Sequence, residues 1–279
     1  MNQKYMIYMY LLKARTFIAL LLVIAFFSVM VPNFLTASNL LIMTQHVAIT
    51  GLLAIGMTLV VSASAGTDIS VGAIMAVSAA VCCNILTGGE RAATEYASPL
   101  ILGFLAALVI GMLIGSFNGF LVAKLNIQPM VATLILYTAG RGIGQLITAG
   151  QITYVRVDSY KVFGGYIGKI PVPTPIFLAI IVVIIVNLIL KKTALGLYIE
   201  SVGINGTASR LVGLNSTLIK FLTYVICGVL AGIAGIIASS RIYSADVNNI
   251  GLNLEMDAIL AVALGGNALG GGKFSLMGS

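Results

Sequence analysis

Few residues in this chain are equipped for chemistry, and their scarcity narrows the choices. Asp68, Arg141 and Asp257 are the ionisable residues set within long apolar stretches, where a charge is costly and usually marks a path or a buried partner. Arg141 must either snorkel toward the nearer surface, two turns on near Thr148, or find a carboxylate or carbonyl inside. Ser70 and Asp68 stand where a new helix would begin, so they can cap it as well as line a passage. Asn118 lies in a glycine-spaced run, where its amide can bridge helices or meet a hydroxyl-rich ligand.

Other chemistries lack their parts. A serine nucleophile needs a base within reach, but the sole histidine, His46, has no nucleophile motif beside it and reads as a hydrogen-bonded interior residue. Cys82, Cys83 and Cys227 show no metal or redox spacing and read as small packing residues. The GGGKFS run at 270–275 resembles a phosphate loop only on the surface. Asn267 stands five before Gly272 and Phe274 follows the lysine, so no nucleotide site is expected. No metal ligand set and no cofactor are expected in this chain.

The elements that hold these residues follow from composition. Apolar residues make up 59% of the 279 and charged residues 8%, with mean hydropathy +1.10. Soluble domains carry about 25% charge, so a water-facing globule is excluded. The formal charge of +7 is spread between apolar runs rather than clustered, which argues against nucleic acid.

Apolar stretches at 17–35, 39–62, 69–87, 99–122, 130–149, 173–190, 217–239 and 256–270 give about eight spans. Most approach the ~20 residues a helix needs to cross hydrocarbon. The runs are continuous rather than alternating, and unpaired amides are prohibitive in lipid, so helices are expected rather than strands. The fold class is all-α: a polytopic transmembrane helical bundle with broken helices, read as one domain over 1–279. The first run, preceded by Lys4, Lys13 and Arg15, reads as an uncleaved helix rather than a removed leader.

With a cytoplasmic amino terminus, eight basic residues fall inside: Lys4, Lys13, Arg15, Lys124, Lys191, Lys192, Arg210 and Lys220. Five fall outside: Arg91, Arg156, Lys161, Lys169 and Arg241. Gly111, Gly115 and Gly119, Gly140 and Gly144, and Gly228 and Gly232 recur every four residues, forming stripes where backbones approach closely.

Two apolar segments are interrupted by glycine and polar atoms, at 62–72 and at 257–272, the latter holding Gly265, Gly266 and Asn267. Broken helices at comparable places in two halves mark a transport path. The cytoplasmic segment 191–220 contains a stretch bracketed by Gly203 and Gly213, predicted to form a short helix capped by Asn205.

These residues carry a family resemblance over nearly the whole chain, from about Phe17 onward. GMTLV at 56–60, GTDISVG at 66–72, ATL at 132–134 with Arg141-Gly142, and TALG at 193–196 contribute to it. So do GINGTASRLVG at 203–213, LEMDAI at 254–259 and LGGNALGGG at 264–272. Together they resemble the sugar permeases of bacterial binding-protein-dependent ABC importers. QLITAGQI at 145–152 and ADVNNIGL at 245–252 are most similar to galactofuranose-type permeases.

The resemblance implies a non-enzymatic transport subunit of the bacterial cytoplasmic membrane that moves a pentose or hexose. Its implied partners are a second permease copy or a related permease, a cytoplasmic ATPase that uses the ATP, and an extracytoplasmic sugar-binding protein. It implies ATPase coupling through Glu200, Gly203, Asn205, Ala208, Arg210 and Gly213, and a path near Asp68, Ser70, Asn118, Arg141, Asp257, Gly265, Gly266 and Asn267. Thr67, where the family is usually apolar, and Gly206-Thr207 depart from its pattern. The family continues past the Gly-Gly-Lys segment, so about ten spans are expected of the full protein. An ion-coupled secondary sugar carrier is the alternative, with Asp68, Arg141 and Asp257 as its relay.

Overall fold

The computed structural model describes residues 15–168, 171–276 and 278; Lys4, Lys13 and Lys169 lie outside them. The chain divides into two units, at Thr44 and Gln45. In the first, α1 (Arg15–Met30) is apolar around its whole circumference, as a helix facing hydrocarbon is. In its following turn the Phe27 and Phe34 rings stack at 5.8 Å, and Asn39 Nδ2 donates to the Phe34 carbonyl at 2.7 Å.

The long helix α2 (Ala37–Ser64) leads into α3 (Val71–Thr87), α4 (Leu100–Ala123) and α5 (Pro129–Ile147). A short α6 (Asp158–Lys161) precedes α7 (Thr174–Lys192), α8 (Leu195–Ile204) and α9 (Gly206–Leu211). The long α10 (Ser216–Ile242) and the short α11 (Leu254–Leu264) follow. Among the described residues, α2, α4, α5, α7 and α10 are long and apolar enough to cross a membrane. The eight expected spans therefore need correction at the end: within 256–270 the helix stops at Leu264, and α11 covers only about 16 Å.

Helix α3 is the axis of the second unit, buried on nearly every side and packed by α4, α5 and α10. The glycine stripes perform the packing expected of them. Gly111 and Gly115 of α4 face Gly228 and Gly232 of α10 so closely that an added methyl would strike the opposing backbone. Gly140 of α5 rests on Ala73, and Gly144 on Val247. Cys82, Cys83 and Cys227 are buried and free, and Cys227 fits against Gly56.

At the end assigned outward by the charge bias, β1 (Ala92–Ala93), β2 (Thr153–Val155) and β3 (Ser244–Ala245) join three loops in one small sheet. Ala92 pairs parallel with Tyr154, and Thr153 antiparallel with Ala245. Tyr160 of α6 plugs this end. Its hydroxyl bonds Ser239 Oγ at 2.6 Å, and Ser240 Oγ donates to its carbonyl at 2.5 Å. At the opposite end Gly272 N donates to the Ser62 carbonyl at 2.9 Å, and Gly66 sits against Pro129. The segments expected at the cytoplasm therefore gather on one face.

Candidate functional site

The break expected at 62–72 is present. Helix α2 ends at Ser64, Ala65 turns with φ +53°, and α3 begins at Val71. Between them Asp68 Oδ1 accepts from Ser70 N at 2.9 Å and Ser70 Oγ at 2.6 Å. Asn118 Nδ2 donates to that same Ser70 Oγ at 2.7 Å. Asp68, Ser70 and Asn118, three of the residues singled out from sequence, thus form one chain of bonds, and all three are fully buried. Capping passes through the Asp68 carboxylate; the Ser70 side chain itself caps nothing. Ile69 N completes the turn by donating to Thr133 Oγ1 at 3.1 Å.

The break expected within 257–272 is present at its glycines, where α11 ends at Leu264 and irregular chain follows; a further irregular stretch, unexpected from sequence, lies before α11, between β3 and α11. From the outer sheet the chain runs inward without regular structure until Gly251 meets Gly72 in the first turn of α3. This descending segment is a compact run of turns, in which Asn249 N and Ile250 N both donate back to the Asp246 carbonyl, at 3.2 and 2.8 Å.

Arg141 holds the descending segment. Its Nη1 donates to the Val247 carbonyl at 2.7 Å and the Ile250 carbonyl at 3.2 Å, and Gln145 Nε2 donates to Asn248 Oδ1 at 2.7 Å. The carbonyl partner, not snorkelling, is the solution the fold adopts: backbone that has lost helical bonding needs donors, and a guanidinium in an apolar helix needs acceptors.

The descending segment walls a cleft of 270 Å³ between α2 and α10. Ile49, Met75 and Ile250 contribute apolar surface; His46, Arg241, Asp246 and Asn249 contribute polar atoms. Arg241 Nη2 lies 2.8 Å from His46 Nε2. Asp246 Oδ1 accepts from Asn248 N at 3.1 Å, and its Oδ2 from Asn249 Nδ2 at 2.7 Å. His46 is therefore hydrogen-bonded, as expected, but on an exposed face rather than in the interior. Apolar surface bounded by hydroxyl-matching donors and acceptors suits a small polar solute held weakly.

The remaining candidates separate. Asp257 is exposed on α11, whereas Glu255 is buried against Gly72. Sequence reading passed over Glu255, yet the helical period marks it: Glu255, Ala258 and Val262 are the buried face of α11. Gly265 and Gly266 terminate α11, the latter with φ +85°. Asn267 clamps the next turn, accepting from Ser275 N at 2.6 Å and donating to the Ser275 carbonyl at 3.1 Å. These three shape the end opposite the small sheet.

The short helix predicted there is α9. Asn205 Oδ1 accepts from Thr207 N at 3.1 Å and Ala208 N at 2.9 Å, and Gly213 follows with φ +88°. Gly203 belongs to the last turn of α8 instead of preceding α9, and packs without room for a methyl against the Ser62 carbonyl. Glu200 lines a cleft of 390 Å³ with Lys191 and Phe274. Past Arg210, Leu211 and Val212 are 86% and 78% exposed.

A family model described as branched-chain amino acid transport system / permease component matches residues 39–279. The galactofuranose transporter permease protein YtfT of Escherichia coli (strain K12) is 46% identical over 269 residues, 93% of this chain and 76% of that protein. The fructose import permease protein FruF of Bifidobacterium longum is 44% identical, over 87% of this chain and 67% of its own. The ribose import permease protein RbsC of Escherichia coli (strain K12) is 38% identical, over 100% and 84%. No solved structure matches the chain.

Proposed function

The chain belongs to this family of transport-system permease components, and from that premise we propose that it is the membrane-spanning subunit of an ATP-driven monosaccharide importer. It is a multi-pass protein of the bacterial inner membrane. The sugar class rests on the relatives, whose names specify galactofuranose, fructose and ribose; the cargo is a pentose or hexose, galactofuranose among the candidates.

One observation carries the placement of the path: the irregular polar segment that descends from β3 to Gly251. Non-helical backbone at membrane depth is tolerated only against protein or water. The outward faces of Asn249, Asn253 and Asp257 continue it along α11. This face therefore turns from lipid toward a second permease, and the sugar passes between the two. The cleft with His46, Arg241, Asp246 and Asn249 is its outer mouth. Arg141 fixes the wall, and the Asp68, Ser70 and Asn118 cluster fixes the inner end of α3. Gly265, Gly266 and Asn267 shape the inner exit beside Asp257.

Force enters at α8 and α9. Leu211 and Val212 display apolar surface where no hydrocarbon covers it, which suits a docked protein. We assign that partner as a cytoplasmic ATPase, met by the segment containing Glu200, Gly203, Asn205, Ala208, Arg210 and Gly213. The ATP is bound and hydrolysed there. A sugar-binding protein delivers cargo to the outer loops. Co-reconstituting the permease with an ATPase and binding protein encoded beside it tests the reading. Uptake should require ATP and all three proteins. Uptake that an uncoupler abolishes at constant ATP overturns it in favour of ion coupling.

A further inference from the structure

At the cytoplasmic ends of α4 and α10 lies a cleft of 660 Å³ that the transport path does not use. Lys124 and Arg210 supply its charge, Asn126 and Asn215 its amides, Phe120 and Phe221 its apolar wall, and no acidic residue lines it. Arg210 turns back from the tip of α9: Nε donates to Ser216 Oγ at 2.5 Å and Nη2 reaches Thr217 Oγ1 at 3.4 Å. The guanidinium is thereby held over the first turn of α10. Lys220, one turn further, lies within its electrostatic reach.

Above Lys124 runs an exposed stripe of α4: Leu105, Val109, Leu113, Phe117 and Phe120. The spacing of three and four keeps them on one helix face with Lys124 at its foot. The small residues of α4 that permit close helix contact point the other way, toward α10. Branched and aromatic side chains gain little by leaving acyl chains for another helix, so this stripe faces lipid.

We propose that the cleft binds an anionic phospholipid of the inner leaflet, with its phosphate between Lys124 and Arg210 and an acyl chain along the α4 stripe. Basic hollows between helices at a cytoplasmic surface recognise such headgroups by charge and donor count, while the apolar groove selects lipid over a free anion. The site shares Arg210 with the assigned ATPase contact but needs neither sugar nor ATP, so lipid binding to the isolated permease is read separately from transport.

Purified permease in detergent, titrated with phosphatidylglycerol, phosphatidylcholine of equal chain length, or inorganic phosphate, tests this by native mass spectrometry and melting temperature. Phosphatidylglycerol should bind and raise Tm, and the other two should not. Lys124→Gln should weaken binding about five-fold, and adding Arg210→Gln about five-fold more. Lys191→Gln, at the end of α7 on the same membrane side, should leave it unchanged. Equal binding of phosphatidylcholine, an equal response to phosphate alone, or full affinity in the double variant with unaltered lipid-free Tm overturns the proposal. So does loss of bound lipid only when the ATPase occupies the cleft, without any effect of Lys124→Gln.

Discussion

Gly72 and Gly251 meet backbone against backbone: a methyl group on either would strike the carbonyl oxygen of the other. The contact joins the first turn of α3 to the lowest point of the descending segment, with Glu255 pressed against the same spot. Gly251 also adopts φ +71°, which a side chain disfavours. Gly251→Ala should therefore cost more than the ~1 kcal/mol of left-handed strain alone, lowering Tm and abolishing uptake. Gly142→Ala is the control. It sits in α5 with open space around it, and should be neutral or slightly stabilising.

Arg141 is the donor on which the descending segment depends. Arg141→Met keeps bulk but withdraws the bonds to Val247 and Ile250, each worth about 1.5–3 kcal/mol when charge-assisted. Uptake should fall at least about ten-fold, and cysteines placed at 248 and 249 should react faster with a membrane-impermeant thiol reagent. Unchanged labelling would mean that the segment holds its shape without the guanidinium.

Asp68 is fully buried, and its carboxylate accepts from the Ser70 amide and hydroxyl at the start of α3. Asp68→Ala strands the Ser70 amide and hydroxyl, at a cost of about 1–3 kcal/mol each. Asp68→Asn preserves an accepting oxygen and should recover much of the Tm. The ratio of uptake among competing sugars should not change in either variant. A shifted ratio with unaltered Tm would place Asp68 on the path instead.

Leu211 and Val212 test the coupling segment without altering its charge. Replacing both by serine should weaken ATPase association by about 2–4 kcal/mol, thirty-fold or more in Kd, since each side chain forfeits about 1–2 kcal/mol of burial. Asn205→Ala should act more mildly, through loss of about 1 kcal/mol of α9 capping. Pull-down with the purified ATPase, followed by sugar-stimulated ATP hydrolysis, measures both.

Local features were readable wherever neighbours in the chain settle the matter. Asn205 caps α9 because its acceptor reaches amides two and three residues ahead. The glycine stripes of α4 and α10 were legible because a four-residue repeat has one face whatever surrounds it. The break after α11 was legible because Gly265 and Gly266 end the helix; the irregular stretch before α11 was not. Residues 246–253 hold no such signal; the Val247 and Ile250 carbonyls and the Asn248 side chain take their donors from Arg141 and Gln145, more than a hundred positions earlier.

Hydropathy and spacing by themselves determined a lipid-embedded helical bundle, its approximate spans and the cap at Asn205. Each follows from the cost of exposing apolar surface or unpaired amides, which neighbouring residues incur together. Tertiary structure alone decided which polar groups meet: Asp68 with Asn118, Arg141 with the Val247 carbonyl, His46 with Arg241. Those pairings are set by where helices cross, and crossing depends on contacts between distant residues that no local pattern records.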